Sequence, residues 1–380
     1  MAAEAMAAEP RVRVAVVTSD SGATIAGLLA GLPAACAGVQ WELVVADNNS
    51  SDDTLAKVAS SGFHGTVVRM GRNAGYAAGV NAAAAVPGPG GGTLTVGGKA
   101  AAFDALLVVS PNVRLERGAV ARLWRSLKAE PRAGIAVPRL EDPDGRIVPT
   151  LGRRPAIARA LGAALLGERL AGRSGLGEVV TAPRAYDDDR TVAWASGSAM
   201  LIAARCLDEI GPLDESFLLY AEATELSLRA ADAGWSTVYN PDARGRLPGP
   251  LAVAAPRLRS LRTTNRVRLY ARRTGPVRGA AYWGAVALGE SLGALRGRPG
   301  SRDALAALVR KSRRVRELDE LLPADGFELV PAAGEAPEAP AAEPDGFERT
   351  APEPPAPIGD DVLHFGDELD DEPAGHEVSR

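Results

Sequence analysis

Two polar runs carry most of the chemistry legible in this chain. The first, Asp47-Asn48-Asn49-Ser50-Ser51-Asp52-Asp53-Thr54, is an unbroken row of hydrogen-bond acceptors directly after an apolar stretch. A carboxylate there can accept from the ring N–H of a uracil or thymine, and the neighbouring amides can hold a ribose. Equally, Ser51 or Asp52 can cap the helix that follows. The second run reads Arg72-Asn73-Ala74-Gly75-Tyr76-Ala77-Ala78-Gly79-Val80-Asn81. Arg72 beside a helix start suits a pyrophosphate, while Gly75 and Gly79 thin one helix face and suit close packing as well.

The elements around these runs must hold them in place. Val12–Thr18, Glu42–Ala46, Thr66–Met70 and Leu106–Val109 are short β-branched or apolar runs and read as strands. Ala23–Leu32, Asp52–Ser60 and Gly75–Ala85 read as the helices between them. Strands alternating with helices predict an α/β domain with a mainly parallel sheet. In such sheets ligands sit outside the carboxyl ends of the strands. The polar runs 18–21, 47–54 and 110–114 all follow strands and gather on that edge. Farther on, Pro87–Lys99 is a Gly-rich loop without the Gly-Lys-Ser/Thr of a phosphate loop, and residues 152–190 read as loop-rich. Val192–Ala203 is apolar around a Ser196-Gly197-Ser198 break. Glu222–Ala233 has helical spacing, and Trp235–Tyr239 reads as a strand.

Charge divides the chain. Its 380 residues carry a net charge of −4. From Pro323 onward there are 16 acidic and two basic residues, which leaves residues 1–322 at +10. Residues 244–316 alone hold 18 basic and two acidic residues, a pattern that invites an anionic partner. Four segments follow: a flexible start (1–10), an α/β domain (11–243), a basic helical region (244–322) and a disordered acidic Pro/Ala/Glu tail (323–380). Two cysteines exclude a disulfide framework, and three histidines make clustered His chemistry unlikely. Cys36 and Cys206 read as small core residues, and His64 as a surface residue. The start lacks a signal peptide's basic and apolar regions, and no apolar run is long enough to span a membrane. The expected location is cytoplasmic, with Tyr282 and Trp283 of the basic region against an anionic membrane. The basic region lacks the stacking aromatics of a nucleic-acid module, so no nucleic acid is expected.

The blocks VVTSDSGATI, DNNSSDDT, NAGYAAGVN and VVSPNVRLERGAV follow one another in the order and spacing of family 2 glycosyltransferases, which they resemble. The later block from Trp194 to Ala243 continues the likeness, including WASGSAMLIAARC and the stretch Gly211–Trp235. Over residues 11–275 the chain is most similar to bacterial rhamnosyltransferase-type enzymes of cell-envelope polysaccharide.

This resemblance implies a GT-A fold, with a Rossmann-like α/β sheet, and inverting transfer from a nucleotide-diphosphate sugar to a polysaccharide or lipid-linked acceptor. It implies donor contacts from Thr18, Asp47, Asn49, Arg72, Asn73, Gly75, Asn81 and Asn112. Acceptor contacts would come from Trp194, Gly197 and Ser198, and a general base from Glu225 or else Glu222. Four positions depart from the family pattern. Asn112 stands where a metal-binding Asp is usual, so dependence on Mg²⁺ or Mn²⁺ is expected to be weak. Ala223 stands where the Asp base is usual. Arg244-Gly245-Arg246 replaces a stretch that often carries His, which makes Arg246 a candidate partner for the leaving diphosphate. Ser19-Asp20 replaces a Tyr-Asn pair. A second reading is therefore a catalytically impaired relative that binds nucleotide-sugar or docks a partner.

Overall fold

The computed structural model describes residues 9–63, 65–87, 103–247, 256–310 and 328–332. His64, most of the Gly-rich loop and nearly all of the acidic tail lie outside the described residues.

The chain opens as β1 (Arg11–Thr18), α1 (Gly22–Ala35), β2 (Gln40–Asp47), α2 (Thr54–Ala59), β3 (Gly65–Arg69), α3 (Tyr76–Ala85) and β4 (Ala105–Val109). These strands pair in parallel in the order β3-β2-β1-β4. Such strands have both faces covered, so they are written as near-continuous apolar runs. Every β1 residue after Arg11 is buried, and so is all of β4. α3 packs on β1 and β2. Its closeness depends on Gly79, where a Cβ would lie 2.7 Å from a Val17 methyl.

The second half adds β5 (Arg114–Leu115), α4 (Ala119–Ala129), β6 (Ala133–Glu141), β7 (Leu151–Gly152), α5 (Ile157–Leu166) and α6 (Glu168–Ser174). After a 3₁₀ turn at Pro183–Tyr186 come β8 (Arg190–Val192), β9 (Trp194–Ala195), β10 (Ala199–Ala203), α7 (Ala204–Ile210), α8 (Glu222–Asp232) and β11 (Ser236–Arg246). β10 enters the sheet antiparallel between β4 and β6, and β11 pairs in parallel with β6. β7 and β9 form a separate two-stranded ribbon. Residues 152–190 are thus less loop-like than their sequence implies, because α5 and α6 fall within them. α5 is short and Ala-rich and draws its stability from packing on a later helix, which local sequence does not show.

That later helix belongs to a helical cluster: α9 (Pro256–Thr274), α10 (Pro276–Leu295) and α11 (Ser301–Val309). The three pack on one another, and α5 joins them around Val267, Tyr270, Tyr282 and Val286. Tyr270 and Tyr282 stack with centroids 4.1 Å apart. The expected boundary at residue 243 falls inside β11, whose Arg244–Arg246 still pair with β6. Tyr282 is fully buried, with its hydroxyl on Glu178, and Trp283 donates to the Leu308 carbonyl. The Tyr282 ring is therefore not free to lie on a membrane, whereas Trp283 is half-buried. Finally β12 (Glu328–Ala332), inside the segment read as a disordered tail, pairs antiparallel with β3 at the sheet edge. Pro331 is tolerated there because an edge strand leaves N–H groups unused.

Among the described residues no helix is long and apolar enough to cross a membrane.

Candidate active site

β1 lies between β2 and β4, so the sheet order reverses at its flank. A crevice is expected outside the carboxyl ends of β1 and β4. A cavity of about 1410 Å³ opens there, lined at that edge by Thr18, Ser19, Asp20, Ser110 and Asn112. β10 runs opposite to β4, so its start rather than its end reaches the same edge. The Ser110 N–H donates to the Ser198 carbonyl at 2.9 Å, which ties the two segments together. Trp194, Gly197 and Ser198 accordingly line the cavity.

The sheet side of the cavity is braced by short hydrogen bonds. Asp47 is buried and accepts from the Thr18 hydroxyl at 2.6 Å, the Ser50 hydroxyl at 2.6 Å and the Ser50 N–H at 2.9 Å. It fixes the turn and presents Thr18, without lining the cavity itself. Asn48, one of the amides of the 47–54 run, does line it and donates to the Gly75 carbonyl at 3.0 Å. Asp52 accepts from the Thr54 N–H at 3.0 Å, but the N-cap position of α2 is Asp53, which makes no side-chain capping bond, so the expected cap by Ser51 or Asp52 is not formed. Asn49 adopts φ +60°, a turn conformation Asn tolerates, and is not a cavity residue.

The 72–81 run divides in the same way. Asn73 and Gly75 line the cavity; Arg72 and Asn81 do not. Asn81 instead bridges the Leu213 carbonyl, the Leu213 N–H and Glu215. Gly75 has φ +91°, and a Cβ there would lie 2.6 Å from the Leu218 carbonyl oxygen. Only glycine lets α3 start this close to the segment before α8. Tyr76 spans the gap and donates to the Gly197 carbonyl at 2.9 Å.

The turn into α8 stands apart from these contacts. Tyr220 and Ala221 have φ +64° and +119°, values costly for residues with a Cβ and often found at functional sites. Glu222 follows, buried on the cavity wall, with Oε2 lacking any hydrogen-bond partner. Burial pushes its carboxyl up to about 7. The Tyr220 hydroxyl beside it is likewise buried and unpartnered. Glu225 is placed differently. One turn along, it grips Arg229 through two bonds of 2.9 Å, and Arg229 is itself held by the carbonyls of Ile210, Gly211 and Pro212. Glu225 is off the cavity. Of the two glutamates, Glu222 is thus the one that lines the cavity.

Arg246 is exposed on β11 and also off the cavity. The positive charge comes instead from residues the sequence reading did not single out. Arg262 and Arg266 of α9 and Arg169 and Arg173 of α6 line the helical end. Arg266 is committed to Glu178 at 3.1 Å and the Tyr282 hydroxyl at 2.7 Å. Arg262 makes no hydrogen bond or ion pair among the described residues. Its density of arginines was visible in the sequence; its place over the cavity was not. As for a cation, no group of three or more His, Cys, Asp or Glu side chains could hold one among the described residues. Asn112 brings an amide to the edge, not a carboxylate, so these side chains make a poor cage for Mg²⁺ or Mn²⁺.

No known family profile matches the chain. Two curated relatives are 30% identical to it over 201 residues, 53% of this chain and 64% of theirs. Both are N-acetylglucosaminyl-diphospho-decaprenol L-rhamnosyltransferases of Mycobacterium tuberculosis, from strains CDC 1551 / Oshkosh and ATCC 25618 / H37Rv. The match thus spans a little under two thirds of those relatives' length. Among solved structures, the mannosyltransferase PcManGT from Pyrobaculum calidifontis, in complex with GDP-Man and Mn²⁺, aligns with a TM-score of 0.47 and 16% identity, over 82% of this chain and 84% of that one. S. aureus TarS aligns with a TM-score of 0.42 and 13% identity, over 82% and 80%. The curated relatives fall in the class that the ordered sequence blocks resemble.

Proposed function

We propose that the chain is an inverting glycosyltransferase that moves a rhamnosyl-type sugar from a nucleotide-diphosphate donor to a lipid-linked acceptor of cell-envelope assembly, with Glu222 as general base. One observation carries this reading: a buried carboxylate with an unpartnered oxygen on the cavity wall, across from the polar strand ends. In the transfer, Glu222 takes the proton of the acceptor hydroxyl as its oxygen bonds to the anomeric carbon. The bond from that carbon to the donor phosphate oxygen breaks, and its electrons leave with the nucleoside diphosphate. Attack opposite the leaving group inverts the centre. A carboxyl raised to about 7 is matched to this task near neutral pH.

The donor's base lies against Thr18, Ser19 and Ser21, held in shape by Asp47, and its diphosphate extends towards Asn73 and Asn112. The acceptor sits over Trp194, Gly197 and Ser198. Arg262 supplies positive charge for the leaving diphosphate, work that a metal performs in other transferases. The proposed working side is the cytoplasmic face of the membrane. The altered family positions do not require the catalytically impaired reading, since Glu222 offers a base where Ala223 cannot.

Incubating the protein with UDP-, dTDP- and GDP-sugars and a diphosphate-linked acceptor, with and without EDTA, tests this. Turnover that persists in EDTA is expected. Nucleotide binding without turnover of any donor would leave only the impaired reading.

A further inference from the structure

The cavity does not close at its helical end. Ala163 of α5 and Glu168, Arg169 and Arg173 of α6 line it there. The same hairpin carries apolar side chains into solvent: Leu161, Leu165, Leu166 and Leu170 are 37 to 61% exposed, and Leu176 just beyond adds to them. The α5 pattern explains why. Ala160 and Ala164 turn towards α10, where Ala160 joins the core around Tyr282, and Gly289 would bring a Cβ within 3.3 Å of Ala164. Leu161 and Leu165 are left on the outer face. A cluster of large exposed apolar residues at one place marks an interaction surface.

Its charge selects the partner. Arg169 and Arg173 stand one turn apart on α6, exposed, with no hydrogen bond or ion pair from either guanidinium among the described residues. Both also line a hollow of about 430 Å³ shared with Leu166, Leu170 and Arg298. The carboxylate at this spot, Glu168, is outnumbered, since Arg259, Arg262, Arg266 and Arg298 all act on it. Leucines flanked by unpaired arginines match a bilayer's acyl boundary beneath anionic headgroups.

We propose that the α5–α6 hairpin lies in the surface of an anionic membrane and is the side from which a lipid-diphosphate acceptor enters the cavity. Its leucines seat among the acyl chains, Arg169 and Arg173 pair with the diphosphate at headgroup level, and the acceptor sugar reaches inward to Glu222. This rests on the transfer reading above and adds the entrance and the residues that form it.

The test is cosedimentation of the full chain with vesicles of phosphatidylcholine, alone or mixed with phosphatidylglycerol. Binding is expected only to the anionic vesicles and should weaken with salt. Leu165→Ser with Leu170→Ser should weaken it by about tenfold or more. Arg169→Gln with Arg173→Gln should weaken it by about fivefold per arginine. An unchanged unfolding temperature in each variant shows that the fold is intact. Vesicle binding unchanged by the leucine substitutions would overturn the proposal. So would a concentration-dependent dimer that those substitutions dissolve, because the face would then be covered by a second copy. The two readings fail separately. Wild-type vesicle binding that depends on the leucines, without sugar transfer to any diphosphate acceptor, would refute the transfer reading and keep the lipid-facing hairpin. Turnover on a soluble short-chain diphosphate acceptor without vesicle binding would do the reverse.

Discussion

The two sides of the cavity are built on opposite principles. At the sheet edge several polar groups are tied down, although the buried Asn48 Oδ1 has no partner among the described residues. Thr18 and Ser50 are bound to Asp47, Asn48 to Gly75, Tyr76 to Gly197 and Ser110 to Ser198. At the helical end Arg169, Arg173 and Arg262 reach the same space without hydrogen-bonded partners, beside leucines left in solvent. A prebuilt edge suits a small donor that must be held in one pose, because fixed dipoles and hydrogen bonds need no reorganisation when charge develops. Untied cations and bare leucines suit a larger partner that brings its own counter-charge and apolar surface. Glu222 stands where the two sides meet, presented by the strained Tyr220–Ala221 turn.

The largest break in this arrangement is expected from Glu222→Gln. Loss of the base should lower turnover by about 10²–10⁴-fold while nucleotide binding is kept. The same change should stabilise the protein, and the sign follows from the raised carboxyl. Folding favours the protonated form, so stability is full below its ordinary value of 4.5 and is lost as pH rises through about 7. Thermal unfolding should therefore show the Gln variant more stable than wild type above pH 7, with the gap gone below 4.5. A variant that keeps turnover would detach Glu222 from the chemistry.

A smaller effect separates the two sides. Asp47→Ala strips the buried Thr18 hydroxyl of its acceptor and should cost about 1–3 kcal/mol of stability in the ligand-free protein, besides weakening donor binding. Arg262→Gln removes a group with no hydrogen-bonded partner. It should leave the denaturation midpoint within about 0.5 kcal/mol of wild type and lower turnover instead. If the Asp47 variant unfolds like wild type and the Arg262 variant does not, the contrast between a prebuilt and an open side is wrong.

The sequence made the prebuilt side far more legible than the open one. Apolar runs and polar strand ends suffice to predict β1 to β4, the edge they share and the gathering of Thr18 and Asn112 there; Asn73 and Gly75 were legible through the 72–81 motif and the family resemblance. Those are local patterns. What remained hidden depends on contacts distant in the chain. α5 looked like loop because its partner α10 comes more than a hundred residues later, and α6 packs on α5. Arg262 looked like any other arginine of a basic stretch until α9 was seen folded back over the cavity. The choice between Glu222 and Glu225 turned on one backbone reversal at Tyr220 and Ala221, which no residue type there announces. Asp47, Asn81 and Gly79 were legible as special positions, but their work is to shape the site from behind it.

The smallest expected effect is that of Glu225→Gln. It weakens a part-buried, two-bonded ion pair with Arg229 and should cost about 1 kcal/mol of stability, with turnover nearly unchanged. Kinetics of the purified variant beside Glu222→Gln would check it. A large loss of turnover here would restore the assignment that family resemblance alone suggests.

The central claim is that the buried Glu222 carboxylate removes the acceptor proton, and the pH dependence of kcat/KM for the wild-type protein tests it most directly. Only the ionised form can act as base, so kcat/KM should rise with pH and level off, with its inflection near 7. A profile already flat from about pH 5 upward would contradict the account, because it would assign the proton to a carboxylate of ordinary acidity.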